Sequence, residues 1–254
     1  MRGVVQSIWR YPVKGFTPEP LDAVALTSGE HVPFDRLYAV EDGPSGFDAD
    51  APGHISKQKF TVLAKIPRVA AIRTRFDDGG VLTARMAGQP DFAGDLSTDA
   101  GRGAFAAWLT EALAQDITGP LRVLPAPNRH RFMDDPAGFV SVINLESVRA
   151  LAAAMGRTVD PRRFRANFYV DGWPAWAELD LGDGRGLTLG GTQLVAAKAI
   201  RRCVATHVDP ETAERDMEVV TALFENFGHM NCGTYFSVTR SGVARPGDAA
   251  TSQP

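Results

Sequence analysis

The chain has 254 residues, 44% of them hydrophobic and 22% charged, and a formal net charge of −3. That composition suits a globular protein with one elaborate core or two interlocked smaller ones, excludes wholesale disorder, and lacks the basic excess that nucleic-acid binding requires. The best apolar stretch, LTLGGTQLVAAKAI, falls short of the roughly 18 residues of a membrane span and is broken by Gly190, Gly191 and Lys198, so no span is expected.

The opening MRGVVQSIWRYPVKG has no apolar signal region, and two cysteines build no disulfide framework, so the expected setting is the reducing cytoplasm. Short strands follow, VVQSIWRY, LDAVAL, LYAVED, VAAIRTRF and VLTARM, with turn chemistry around Pro18 to Pro20, Gly43 to Gly53 and Asp77 to Gly80. The first helix, GRGAFAAWLTEALAQD, places Phe105, Trp108, Leu109 and Leu113 on one face and closes a β-rich unit over residues 1–118.

A second unit, residues 119–250, opens with LRVLPA and a loop holding Asn128, Arg129, His130, Asp134, Asp135 and Pro136. The strand FVSVIN ends in Asn144, placed to cap the helix LESVRALAAAMG, which Gly156 stops. Strands RANFYVDG, GLTLGG and TQLVAAKAI, a helix DMEVVTALFENFG and a strand TYFSVT precede a polar tail, SGVARPGDAATSQP, whose end is expected to fray. Many short strands with few helices predict a mainly β, α+β chain of barrel-like architecture, not a doubly wound sheet; no phosphate-binding glycine motif is present.

The chemistry concentrates in AIRRCVATHVDPETAERD, residues 199–216. Cys203 reads as a buried core thiol, as a nucleophile with His207 as base, as a zinc ligand with His207, His229 and Cys232, or as the one protein thiolate on a metal carried by an organic cofactor. Arg201 and Arg202 favour a thiolate if either approaches the sulfur, and the turn-like THVDPET puts Cys203 near a strand end.

The segments YPVKG, FDRLYAV, ISKQ, VSVINLESV, FRANFYVDG, RCVATHVDPET and GTYFSVTRSGVARPGD occur in the order and spacing of a known family. The chain resembles MOSC-domain proteins with an N-terminal MOSC-associated β-barrel domain, the group that contains the amidoxime-reducing component and its bacterial relatives. The resemblance implies a β-barrel-like MOSC domain interlocked with a smaller β-rich N-terminal domain. It also implies a molybdenum cofactor, a molybdopterin whose metal is bound by Cys203.

By the same resemblance Lys14 and Arg36 would meet the cofactor's phosphate end, Arg165 and Asn167 the pterin, and Tyr235 and Asp209 would lie near the metal, with Cys203 and Asp209 as catalytic candidates. Asp209 beside Pro210 also reads as a turn former. Gly15, His207, Ala213 and Cys232 depart from the family pattern. The implied activity is reduction of small N-hydroxylated substrates by oxo transfer, with a cofactor-carrier or sulfur-relay role as the alternative. No iron–sulfur cysteine cluster or nucleotide fingerprint is present, so electrons would come from separate electron-transfer proteins.

Overall fold

The computed structural model describes all residues except 78, 137, 183, 253 and 254. In its first strand, β1 (Arg2–Arg10), Gly3, Val5 and Ile8 are buried, and the switch from odd to even positions falls at a bulge between Val5 and Ser7. The expected strand LDAVAL is broken into β2 (Glu19–Leu21), which extends the sheet beside β1, and β3 (Val24–Leu26), which leaves it. β4 (Tyr38–Asp42) is buried along its whole length.

β5 (Arg73–Phe76), β6 (Val81–Arg85) and β7 (Phe92–Asp95) form an antiparallel meander. The expected strand VAAIRTRF starts instead as a 3-10 turn at Pro67–Ala71, where Pro67 fixes the backbone of the first turn. α1 (Asp99–Ala112) begins at Thr98, whose hydroxyl accepts the Gly101 N–H at 3.0 Å. It buries Phe105 and Leu109 against Phe16, Ile72, Leu82 and Phe92, while Trp108 stays half-buried and donates Nε1–H to the Pro90 carbonyl at 2.7 Å.

β8 (Leu121–Pro125) lies past residue 118 and pairs antiparallel with β4, Val40 opposite Val123. β9 (Val140–Asn144) runs directly into α2 (Leu145–Met155); Asn144 Oδ1 accepts the Glu146 N–H at 3.1 Å, and Gly156, at φ 64, ends the helix. α2 is the crossover that brings β10 (Phe168–Asp171) parallel to β9, with Val142 beside Phe168. β11 (Gly186–Leu189) and β12 (Thr192–Arg201) form a hairpin, and α3 (Val219–Phe227) packs near its far end before β13 (Asn231–Arg240), β14 (Gly242–Ala244) and β15 (Ala249–Ser252).

The order β10-β9-β13-β12-β11-β15-β1 returns to β10 through the β1–β10 pairing, which closes a seven-strand barrel. The fold is mainly β with three α-helices among the described residues, as the strand-rich sequence predicts. Up to Ser252 the tail is held in sheets: β14 pairs with β3, and β15 sits between β11 and β1 with Ala250 fully buried, while the last two positions of the end expected to fray, 253 and 254, lie outside the described residues. Small alanines carry no strong strand signal, so their place in the barrel comes from pairing, not propensity.

One core fills the barrel, with Val5, Ile8, Val142, Phe168, Leu194 and Phe236, and another lies under α1. The chain is interlocked at both ends: β1 completes a barrel built mostly from residues after 139, and β8 returns to β4.

Candidate functional site

A cavity of about 380 Å³ opens between the two halves, lined by Lys14, Arg36, Lys57, Asp134, Arg165, Arg202, Cys203 and Tyr235 among others. Cys203 follows the end of β12, the strand-end position expected for it. Its carbonyl accepts the Thr206 N–H at 3.0 Å and the Thr206 hydroxyl at 2.9 Å, which leaves the half-buried thiol out of the turn. The cation beside the sulfur is Lys57, its Nζ 3.2 Å from Sγ. Burial works against the Lys57 charge, but Asp134 and Cys203 outweigh it and hold its pKa above the ordinary lysine value.

The two arginines that precede Cys203 are engaged elsewhere. Arg201 is exposed and reaches Met230 Sδ at 3.9 Å. Arg202 donates Nε–H to the Cys232 carbonyl at 2.7 Å and Nη1–H to the Phe164 carbonyl at 2.8 Å; its Nη2 is buried with no partner among the described residues.

The opposite wall is built on Tyr11, which is fully buried. The guanidinium carbons of Arg36 and Arg165 lie 4.2 and 4.5 Å from its ring centroid. Both arginines adopt left-handed backbone, φ 48 and 53, which costs roughly 1–3 kcal/mol for a residue with a Cβ and is characteristic of functional sites. Arg36 is fixed by Asp35, whose other oxygen accepts the Tyr11 N–H at 2.7 Å, and by the Arg165 carbonyl at 2.9 Å. The Arg165 guanidinium makes no hydrogen bond or ion pair among the described residues, and burial beside Arg36 lowers its pKa to about 10.

Lys14 is 4% exposed and donates to the Phe132 carbonyl at 2.9 Å and to the Asp134 carboxylate. Burial outweighs the ion pair on the lysine side and holds Lys14 below its ordinary value; burial also opposes the Asp134 charge, but the two lysine ammoniums hold that carboxyl well below the usual range. Gly15, also on the wall, has φ 89, and a Cβ there would stand 2.7 Å from the Thr61 carbonyl oxygen, so only backbone fits. Tyr235, on β13, lines the cavity, and burial raises its phenol pKa.

Two expected site residues stand behind the wall. Asn167 is fully buried; its Oδ1 accepts the Ser141 N–H at 3.1 Å and hydroxyl at 2.8 Å, and Nδ2 donates to the Trp9 carbonyl at 3.2 Å. It stitches strands, and Ser141 reaches the cavity in its place. Asp209, expected as a catalytic group, does not line the cavity. Its Oδ1 accepts the Glu211 and Thr212 N–H groups at 2.8 and 2.9 Å, and its Oδ2 pairs with Arg163 at 2.7 Å. The same turn places Ala213 at φ 62.

The histidines of the zinc and nucleophile readings of Cys203 have other partners. His207 Nε2 accepts the Val220 N–H at 3.3 Å and Nδ1 lies 3.4 Å from Glu218, while His229 packs against Trp176 and Phe227. Burial keeps His207 below the ordinary histidine value and pushes the Cys232 thiol far up. Among the described residues no three His, Cys, Asp or Glu side chains gather to hold a metal ion. Sequence reasoning assigned no role to Lys57 or Arg163; ISKQ contains Lys57, but nothing in its spacing signals the sulfur.

Residues 2–118 match the MOSC N-terminal beta barrel domain and residues 128–251 the MOSC domain. These matches span nearly the whole chain, which therefore belongs to the MOSC proteins that carry this N-terminal domain; MOSC domains are associated with molybdenum-cofactor binding. No curated protein matches. Similar solved structures include the YuaD protein of Bacillus subtilis, 13% identical with TM-score 0.47 over 98% of this chain and 94% of that one. YiiM of Geobacillus stearothermophilus is 18% identical with TM-score 0.36 over 52% of this chain and 67% of that one. YiiM of Escherichia coli is 17% identical with TM-score 0.36 over 48% and 57%.

The residues present fit such a cofactor. A soft thiol shares the cavity with Arg165 and with the buried Nη2 of Arg202, neither of which has a polar partner among the described residues, the donor set of an anionic ligand that carries a soft metal.

Proposed function

We propose that the chain is a molybdenum-cofactor-dependent oxidoreductase that reduces small N-hydroxylated compounds, with electrons from separate electron-transfer proteins in the cytoplasm. The observation that carries this reading is the half-buried Cys203 thiol in a cavity whose unpartnered donors are cationic. Cys203 would hold the metal, and Arg36, Arg165 and Arg202 the anionic and polar parts of the pterin. When bound, the cofactor supplies two-electron oxygen-atom transfer.

The chain's own groups do the rest. Tyr11 fixes the two arginines by stacking, Lys57 sets positive charge beside the sulfur, and Leu63, Ala64 and Ala205 give the cavity an apolar flank for the substrate body. Asn167 and Asp209 act as positioning residues, the second through Arg163. The same reading divides the chain into an N-terminal domain over 1–118 and a MOSC domain over 119–250.

The test is molybdenum and pterin content of protein made in a molybdenum-competent host, beside Cys203→Ser. Near-equimolar metal in the wild type, its loss in the variant, and turnover of an amidoxime with a reduced viologen are expected; wild type without molybdenum sinks the reading. A persulfide on Cys203 by mass spectrometry, with cofactor bound but no turnover, would favour the carrier or sulfur-relay role.

A further inference from the structure

Two adjacent aspartates pin the segment of residues 131–136, of which Phe132, Met133, Asp134 and Asp135 line the cavity. Asp134 takes Lys14 in a short ion pair and Lys57 at 3.3 Å, while Asp135 takes Lys198 at 2.5 Å. Lys14 and Lys57 come from the N-terminal half and Lys198 from β12 of the barrel, so the segment is clasped to both walls. Phe132 adds its carbonyl to Lys14 and packs its ring on Phe60.

This clasp changes what the basic residues offer. The partners of Lys14 are groups of the chain itself, and it is 4% exposed. One carboxylate spans both ammoniums, and its side chain is 45% exposed. Arg165 stands apart as a cation with no ion pair among the described residues.

We propose that Asp134 is a built-in competitor for the anion seat of the cavity: its carboxylate shields Lys14 and Lys57 from monoanions, and a phosphate dianion recruited by Arg165 displaces it and frees the strap. The proposal rests on the cavity being the anion site described under Proposed function. A tethered carboxylate acts at an effective concentration on the order of millimolar, so chloride or free carboxylates gain little by replacing it. A phosphate group brings about −1.5 to −2 charges and three acceptor oxygens, enough to bond both ammoniums and the Arg165 fork together. Asp134 thereby selects the charge of the ligand's end, and the strap opens only for a ligand that satisfies all three cations.

The probe is inorganic phosphate on the full chain, at constant ionic strength set with sodium chloride, read by calorimetry and by hydrogen exchange over residues 131–136. In the wild type, phosphate binding raises exchange in the strap. Asp134→Asn binds phosphate about tenfold tighter, a difference of roughly 1.4 kcal/mol, and its strap exchanges fast with or without phosphate. Equal affinities in the two proteins, or a wild-type strap whose exchange phosphate leaves unchanged, overturns the proposal, as does the absence of phosphate binding to both. The wild-type exchange experiment stands alone if the variant does not fold. Molybdenum content is measured separately: phosphate-driven strap release in a protein that takes up no molybdenum would retain this inference and sink the cofactor reading.

Discussion

The two cysteines differ in burial and in neighbours. Cys203 is half-buried at a cavity with an ammonium 3.2 Å away, whereas Cys232 is fully buried among Ile143, Leu151 and Leu223, and burial drives its thiol pKa far above the ordinary value. A thiol reagent is therefore expected to titrate one fast cysteine in the folded chain and two in denaturant, and Cys203→Ser to remove the fast one; two fast thiols would contradict this. Cys232→Ser places a hydroxyl in an apolar cluster, at a cost of roughly 1–3 kcal/mol if it finds no partner. Its melting temperature is expected to fall while molybdenum content stays at the wild-type level, which separates a packing cysteine from a metal ligand.

At the scale of elements, the turn after Cys203 shows how a family position becomes a structural one. Asp209 holds two backbone N–H groups with one oxygen and Arg163 with the other, and the Arg163 side chain is 1% exposed. Asp209→Asn keeps the Oδ1 acceptor and leaves Arg163 paired with Asp216 at 2.8 Å, whereas Asp209→Ala loses the turn as well. The alanine variant is expected to be destabilised by about 1–3 kcal/mol and the asparagine variant by clearly less, measured by urea denaturation. Equal inactivation of both with unchanged stability would restore a direct proton role. α2 was legible because Asn144 and Gly156 mark its ends by local chemistry. The break between β2 and β3 and the insertion of β15 were not, since each depends on which distant strand supplies a partner.

At the scale of the whole molecule, the cavity joins residues more than a hundred positions apart, such as Lys14 with Asp134 and Lys57 with Cys203. Family order named Cys203 and the arginines, but no local pattern pairs a lysine with an aspartate across two units, so Lys57 and the Asp134 clasp became visible only in the folded chain. Those long-range carboxylates also set the response to pH. Asp42, which receives the Thr118 and Gly119 N–H groups and Lys65, and Asp134 both have folded-state pKa values below their unfolded ones. Their stabilisation is complete above the unfolded value near 4 and is lost as pH falls through the folded values. Glu178 has the opposite sign: buried under β13 with Ser147 and the Gly233 N–H, its pKa is raised by burial. Its contribution is complete below the unfolded value near 4.3 and is lost as pH rises through the folded one. Thermal melts from pH 3 to 9 should show the wild type weakening below about pH 4, while Glu178→Gln gains on the wild type as pH rises toward neutrality. A difference between the two proteins that stays constant over that range would mean that Glu178 has the same pKa folded and unfolded, the hydrogen bonds it receives from Ser147 and Gly233 offsetting its burial.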